Sequence, residues 1–233
     1  LPAGGSCLLG SINLSAFVEN PFTENAYFDF EEFKHCVQES VRALNEVLEE
    51  GLPLHPLPEQ RESVSQWRQI GLGIMGLADA LIKLGLTYGE EDAVSVCDRI
   101  GFVMADTAIA ASARLAKELG AFPKCKVEEI METPYFLANT TEGTKELVRK
   151  YGLRNSQLLT IAPTGTLSTM LGISGGIEPI YANYYERKTE SLHGGDVYYK
   201  VYTKIVKDFM EEHKVSDDRL LPDYFVTAMT LDY

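Results

Sequence analysis

The sequence predicts an α/β fold rich in helix, and three stretches predict it. Leu158–Ala162 (LLTIA) is a near-continuous apolar run between polar residues and Pro163, the pattern of a strand buried on both faces of a parallel sheet. The stretch from Asp29 to Leu48 carries Phe30, Phe33, Val37, Val41, Leu44 and Leu48 at spacings of three and four, which gives one apolar helical face. Glu90–Leu119 opens on Glu90, Glu91 and Asp92, places alanine at 105, 108, 110, 111, 113 and 116, and is followed by Gly120. These features predict the longest helix of the chain, with a small-residue face for close packing.

The remaining elements follow in order. Leu1–Leu14 (LPAGGSCLLGSINL) reads as one strand and its exit. Asp29 caps the next helix with Glu32 completing a capping box, and Gly51 is expected to stop it. His35 and Cys36 read as ordinary helix residues. Pro53, Pro56 and Pro58 make Leu52–Glu59 an extended connector, with His55 exposed. Gly71, Gly73 and Gly76 spell G-x-G-x-x-G, but the residues before them (Gln66, Arg68, Gln69) are polar. No acidic residue closes a second strand about 20 positions on, so the dinucleotide context is missing. Close backbone packing, leading into a helix over Leu77–Leu84, is the simpler reading. A short helix is expected over Thr144–Tyr151, ending at Gly152. Beyond it come an edge or irregular strand at Ile177–Tyr181, an amphipathic helix over Tyr198–His213 and an apolar run from Phe225 to Tyr233.

A chain of 233 residues with 45% hydrophobic and 24% charged residues suits one soluble domain, here residues 1–233. A net charge of -13 without a basic patch argues against a nucleic-acid or anionic membrane surface as partner. Cys7, Cys36, Cys97 and Cys125 form no CxxC pair, so neither a metal site nor a disulfide framework is expected; reduced thiols and a cytoplasmic location are. No signal peptide is evident, and charged residues such as Asp79, Lys83, Asp106 and Arg114 interrupt the apolar stretches. Because the sequence begins at Leu1 without Met, it is expected to be a piece of a longer protein.

The stretch with most chemistry is Gln157–Gly172 (QLLTIAPTGTLSTMLG). Pro163 ends the strand, having no ladder donor. Thr164, Gly165, Thr166 and Ser168 supply hydroxyls and open backbone, and a helix over Leu167–Leu171 is expected with Thr166 as its N-cap. Such a turn is a seat for phosphate, although ordinary capping of a strand–turn–helix connection explains the same residues. It is no Walker A loop, since Thr166 and Leu167 follow Gly165; phosphate would be held by backbone and hydroxyls alone. Glu178 is a candidate acid or base, or a surface glutamate.

Four blocks together resemble the catalytic subunit of ribonucleotide reductase: Cys7-Leu8-Leu9-Gly10-Ser11-Ile12-Asn13-Leu14, Ile70-Gly71-Leu72-Gly73-Ile74-Met75-Gly76-Leu77-Ala78-Asp79, Ala162-Pro163-Thr164-Gly165-Thr166-Leu167-Ser168, and Gly176-Ile177-Glu178-Pro179. The resemblance runs from Cys7 to about Arg187 and is weak from Thr189. The wording of the Pro163 turn is nearest to the adenosylcobalamin-dependent class, although class I large subunits share the scaffold. It implies roughly the second half of a ten-stranded α/β barrel and the reduction of ribonucleotides by a thiyl radical. Cys7 would be one of two thiols oxidised to a disulfide, and Pro163, Thr164, Gly165, Thr166 and Leu167 would bind the substrate phosphates. Adenosylcobalamin is implied for the intact parent, with a separate radical-generating subunit as the alternative.

The implied partners are a ribonucleotide, a dithiol reductant such as thioredoxin and the rest of the parent chain. The family's Asn-x-Cys-x-Glu radical motif is expected upstream of Leu1, so this chain alone is expected to be inactive. Tyr184-Tyr185 and Tyr198-Tyr199 lie too near the Pro163 turn to be the radical-relay pair of class I enzymes. Two readings of other classes stand beside this one: a nicotinamide-dependent oxidoreductase using Gly71–Gly76, and a non-catalytic helical interaction module.

Overall fold

The computed structural model describes residues 3–189 and 194–231. In chain order its first elements are β1 (Leu8–Asn13), β2 (Val18–Glu19), β3 (Tyr27–Phe28), α1 (Phe30–Gly51), α2 (Pro58–Trp67), β4 (Ile70–Met75) and α3 (Leu77–Lys83). They are followed by α4 (Glu91–Leu119), α5 (Val127–Met131), α6 (Pro134–Ala138), α7 (Glu142–Tyr151), α8 (Gly165–Leu171), β5 (Tyr184–Thr189), β6 (Val197–Tyr202) and α9 (Lys204–His213). Helix dominates, as expected. Among the described residues the strands form three two-stranded sheets, β1–β4, β2–β3 and β5–β6, with no closed barrel. No helix among them is long and apolar enough to cross a membrane.

The chain divides into two compact units, each assembled from three stretches. The first comprises residues 1–12, 29–74 and 95–162. Asp29 caps α1 by accepting from the N–H groups of Glu31 and Glu32, both at 3.0 Å. The periodic face then buries Phe33, Val37, Val41 and Leu48. Gly51 does not stop this helix: its φ is −72°, inside the helical range, and the chain passes into a 3₁₀ turn at Leu52–Leu54. The α ladder ends at Pro53, which has no N–H to continue it. The expected connector is also shorter, because Pro58 occupies the first position of α2, where its missing donor costs nothing.

Strand β4 pairs with β1, and on its other side with residues 157–160. Ile70 N–H donates to Gln157 O (3.1 Å), Leu72 N–H to Leu158 O (2.8 Å) and Thr160 N–H to Leu72 O (3.0 Å), with a parallel bridge from Leu72 to Leu159. The expected doubly buried strand is thus a short bridge; Leu158 is buried, but Ile161 is 59% exposed. A buried polar node ties this segment to the helices. The Asn155 side chain donates to Arg68 O (3.1 Å) and Asn45 Oδ1 (3.4 Å) and accepts from Ser112 Oγ (3.1 Å). Gly120 (φ +85°) follows α4 and Gly152 (φ +69°) follows α7, as the sequence predicts.

The second unit comprises residues 13–28, 75–94 and 163–233. Its core gathers Ala78 and Ile82 of α3, Ile180, Val206 and Phe209 of α9, and Phe225. The single helix expected over Tyr198–His213 is instead strand β6 followed by α9. Strand β5, not foreseen, pairs antiparallel with β6 from Tyr184↔Tyr202 to Thr189↔Val197. Tyr198, Tyr199, Val201 and Tyr202 are β-formers and take the strand, while the apolar spacing of Ile205 and Phe209 belongs to the helix alone. Ile180 does make a bridge, parallel to Thr227. Of the Phe225–Tyr233 run, the last two residues lie outside those described.

Candidate functional site

In the first unit the site is one face of a strand pair. Side chains alternate along a strand, so Cys7, Leu9 and Ser11 share a face, and Gly71 and Gly73 of β4 lie beside them. A Cβ on Gly71 would meet Cys7 Sγ and Leu9 Cδ2 at 2.8 Å and Thr160 Cγ2 at 3.0 Å. One on Gly73 would come within 2.9 Å of Thr160 O. Both glycines therefore sit inside a strand and clear its surface for the neighbouring groups. They form no phosphate-cradling loop, which removes the structural basis of the nicotinamide reading. On the opposite face Gly10 packs against the Leu44 side chain of α1.

Cys7 borders a cavity of about 780 Å³ lined also by Trp67, Phe122, Phe136, Leu153 and Thr160. Its charged lining residues are Lys124, Lys126 and Glu129, and Lys126 is paired to Glu129 at 2.7 Å. Burial pushes the Cys7 thiol above its ordinary pKa, which keeps it protonated near neutral pH. A protonated thiol is a poor nucleophile but a competent donor of hydrogen and electrons. Nothing in the sequence marks Trp67 and Phe122 as neighbours; their helical and loop settings carry no signal of a shared cavity.

In the second unit the site is the Pro163 turn. Helix α8 begins at Gly165, two residues earlier than expected, with Thr164 and not Thr166 at the N-cap. Thr164 has φ +53°, the left-handed region that a β-branched residue seldom adopts. Its hydroxyl does not cap the helix; it accepts from the Gly176 N–H at 3.1 Å. The first-turn N–H groups of Gly165, Thr166 and Leu167 have no intrahelical acceptor, and among the described residues none is supplied from elsewhere. All three residues are exposed, as is Pro163. Glu178 is exposed, and its N–H donates to Gly175 O (3.0 Å).

Cys7 belongs to the first unit and the Pro163 turn to the second. The chain belongs to the ribonucleotide reductase family: the family model described as "Ribonucleotide reductase, barrel domain" matches residues 2–226. Among curated relatives, the ribonucleoside-diphosphate reductase subunit alpha of Chlamydia muridarum is 31% identical over 97% of this chain. The vitamin B12-dependent ribonucleoside-diphosphate reductases of Mycobacterium tuberculosis (strain CDC 1551 / Oshkosh) and Thermoplasma acidophilum are 34% and 35% identical, over 81% and 78% of it. The chain spans only 24%, 24% and 21% of the length of these three relatives.

Proposed function

We propose that this chain is part of the catalytic barrel of a cytoplasmic ribonucleotide reductase, which converts ribonucleotides to 2′-deoxyribonucleotides. The observation that carries the reading is the Cys7 face, where Gly71 leaves room for the thiol and the thiol borders a cavity of about 780 Å³. Cys7 acts as one of two reducing thiols. Loss of the 2′-hydroxyl as water takes up two electrons and two protons. Two thiols supply both as their sulfurs are oxidised to a disulfide and C2′ is reduced. The thiyl radical that starts the reaction, the second thiol and the rest of the active site reside elsewhere in the parent protein, so this chain alone is inactive. A dithiol reductant such as thioredoxin reopens the disulfide.

Pro163, Thr164, Gly165, Thr166 and Leu167 seat the substrate phosphates, through the unspent first-turn N–H groups and the hydroxyl of Thr166. A ribonucleoside diphosphate is the favoured substrate, because the three relatives above are named for it. Adenosylcobalamin, which supplies a radical when bound, is supported for the parent by the two relatives named B12-dependent; a separate radical-generating subunit is the alternative. Among the described residues no group of three or more His, Cys, Asp or Glu is placed to hold a metal ion; the cobalt of a cobalamin is held by its own corrin ring and calls for no such set.

The test is reduction of the four ribonucleotides by the full-length parent with a dithiol reductant, with and without adenosylcobalamin. Turnover only with the cobalamin supports family chemistry and class together. No turnover under either condition, even with a radical-generating subunit added, would overturn the reading.

A further inference from the structure

Asp79 lies on α3 and is only 3% exposed. A carboxylate is costly to bury unless its hydrogen bonds repay the lost hydration, and an apolar residue would fit the inner face of α3 at less cost. Its visible partner is backbone: Asp79 Oδ2 accepts from the Ser174 N–H at 2.7 Å. Ser174 O in turn accepts from the Gly76 N–H at 2.8 Å, so both main-chain groups of Ser174 are held by the start of α3. Lys83, one turn further along, donates to Ser15 O at 2.8 Å; its charge attracts Asp79 from there but gives it no hydrogen bond, so the carboxylate's bonded partner is the Ser174 N–H.

The residues after Ser174 reach the Pro163 turn directly. Gly175 packs so closely that a Cβ there would stand 2.7 Å from Pro163 O and 3.2 Å from Ser168 Oγ. Gly176 then donates its N–H to Thr164 Oγ1. Thr164 is the residue in the left-handed region, a conformation that persists only when its surroundings impose it. With the Thr164 hydroxyl drawn to Gly176, it cannot fold back to cap α8. The first-turn N–H groups are left free for another acceptor.

We propose that Asp79 is a positioning residue for the phosphate seat: by holding Ser174 it fixes residues 174–176 against the turn, keeps Thr164 in its left-handed conformation and leaves the N–H groups of Gly165, Thr166 and Leu167 open. This rests on the reading of the turn as a phosphate site. Asp79 itself touches no substrate.

The experiment measures binding of inorganic pyrophosphate to the full-length parent by calorimetry, and amide exchange in the peptides carrying Ser174 and Gly176 by mass spectrometry. In Asp79→Leu, loss of a charge-assisted bond should weaken pyrophosphate binding about tenfold and speed both amides. Asp79→Asn keeps an acceptor oxygen and should stay within about threefold of the parent. Gly175→Ala, which leaves α3 untouched, should lose affinity as Asp79→Leu does. Unchanged pyrophosphate affinity in a folded Asp79→Leu, or Asp79→Asn as weak as Asp79→Leu, would overturn the proposal. If Asp79→Leu does not fold, unchanged affinity in Gly175→Ala overturns it. An unaltered parent that fails to bind pyrophosphate would remove the phosphate seat itself; unchanged Ser174 exchange in the variants would then remove the hold by Asp79 as well.

Discussion

Gly71 and the thiol of Cys7 share one space: a Cβ on Gly71 would stand 2.8 Å from Cys7 Sγ. Real Cβ atoms do not come so near, so one group must move. Gly71→Ala is expected to lower stability by about 1–3 kcal/mol, the usual cost of overpacking a closely fitted site. It should also slow alkylation of Cys7. Urea unfolding and thiol labelling followed by peptide mapping read the two effects; no change in either would mean that the strand pair yields freely.

Cys7→Ser removes the thiol but hardly changes shape. In the intact parent it should abolish multiple turnover while leaving nucleotide affinity nearly unchanged. Steady-state assays with dithiol and equilibrium binding separate the two, and full turnover by the variant would remove Cys7 from the chemistry.

Burial raises the thiol pKa of Cys7, Cys97 and Cys125 alike, and at Cys97 the neighbouring Asp98 adds to it. The folded chain thus keeps these protons to a higher pH than the unfolded chain does. Their contribution to stability is whole below the ordinary thiol value and declines as pH rises through the shifted values. The urea midpoint should fall on the alkaline side of that range, and the fall should shrink in Cys97→Ala/Cys125→Ala. A midpoint flat with pH there would contradict the burial.

Asn155 is fully buried and joins α1, the end of α2 and α4 through Asn45, Arg68 O and Ser112. Asn155→Ala removes the donor to Asn45 Oδ1 and Arg68 O and the acceptor of the Ser112 hydroxyl, which keeps the N–H groups of residues 154 and 155 as its own donors. The expected loss is about 2–4 kcal/mol. Chemical denaturation measures it. A loss well under about 1 kcal/mol would show that water replaces the side chain at little cost.

Sequence and structure agree where a local rule decides. Asp29 as a cap, the spacing from Phe33 to Leu48, Gly120 and Gly152 all act within a turn or two of chain, and each is legible. Gly51 and Pro58 show the limit: a glycine can remain helical, and a proline can open a helix as readily as end one. Tyr198–Tyr202 went to a strand because the segment just before it, Tyr184–Thr189, pairs with it as a hairpin, and helical periodicity does not register cross-strand pairing. In the candidate site, Cys7 and the Pro163 turn were visible as motifs. The purpose of Gly71 and Gly73 was not, since it lies in what they leave room for across the sheet. Asp79 gives no local signal of its own, because its partner Ser174 is 95 positions away.

Each compact unit is stitched from three separated stretches of chain, and this bears on the order in which the protein can be made. The first unit needs residues as far apart as 12 and 162, so no portion released early from the ribosome can complete it. The second must wait longer, for residues after 163, while its earlier stretches are already outside. Closing such long loops costs entropy before any contact rewards it. Translation therefore exposes β1 and α3, with Cys7 and Asp79, well before their partners exist, and the hazard of misassembly in that interval falls on those two elements.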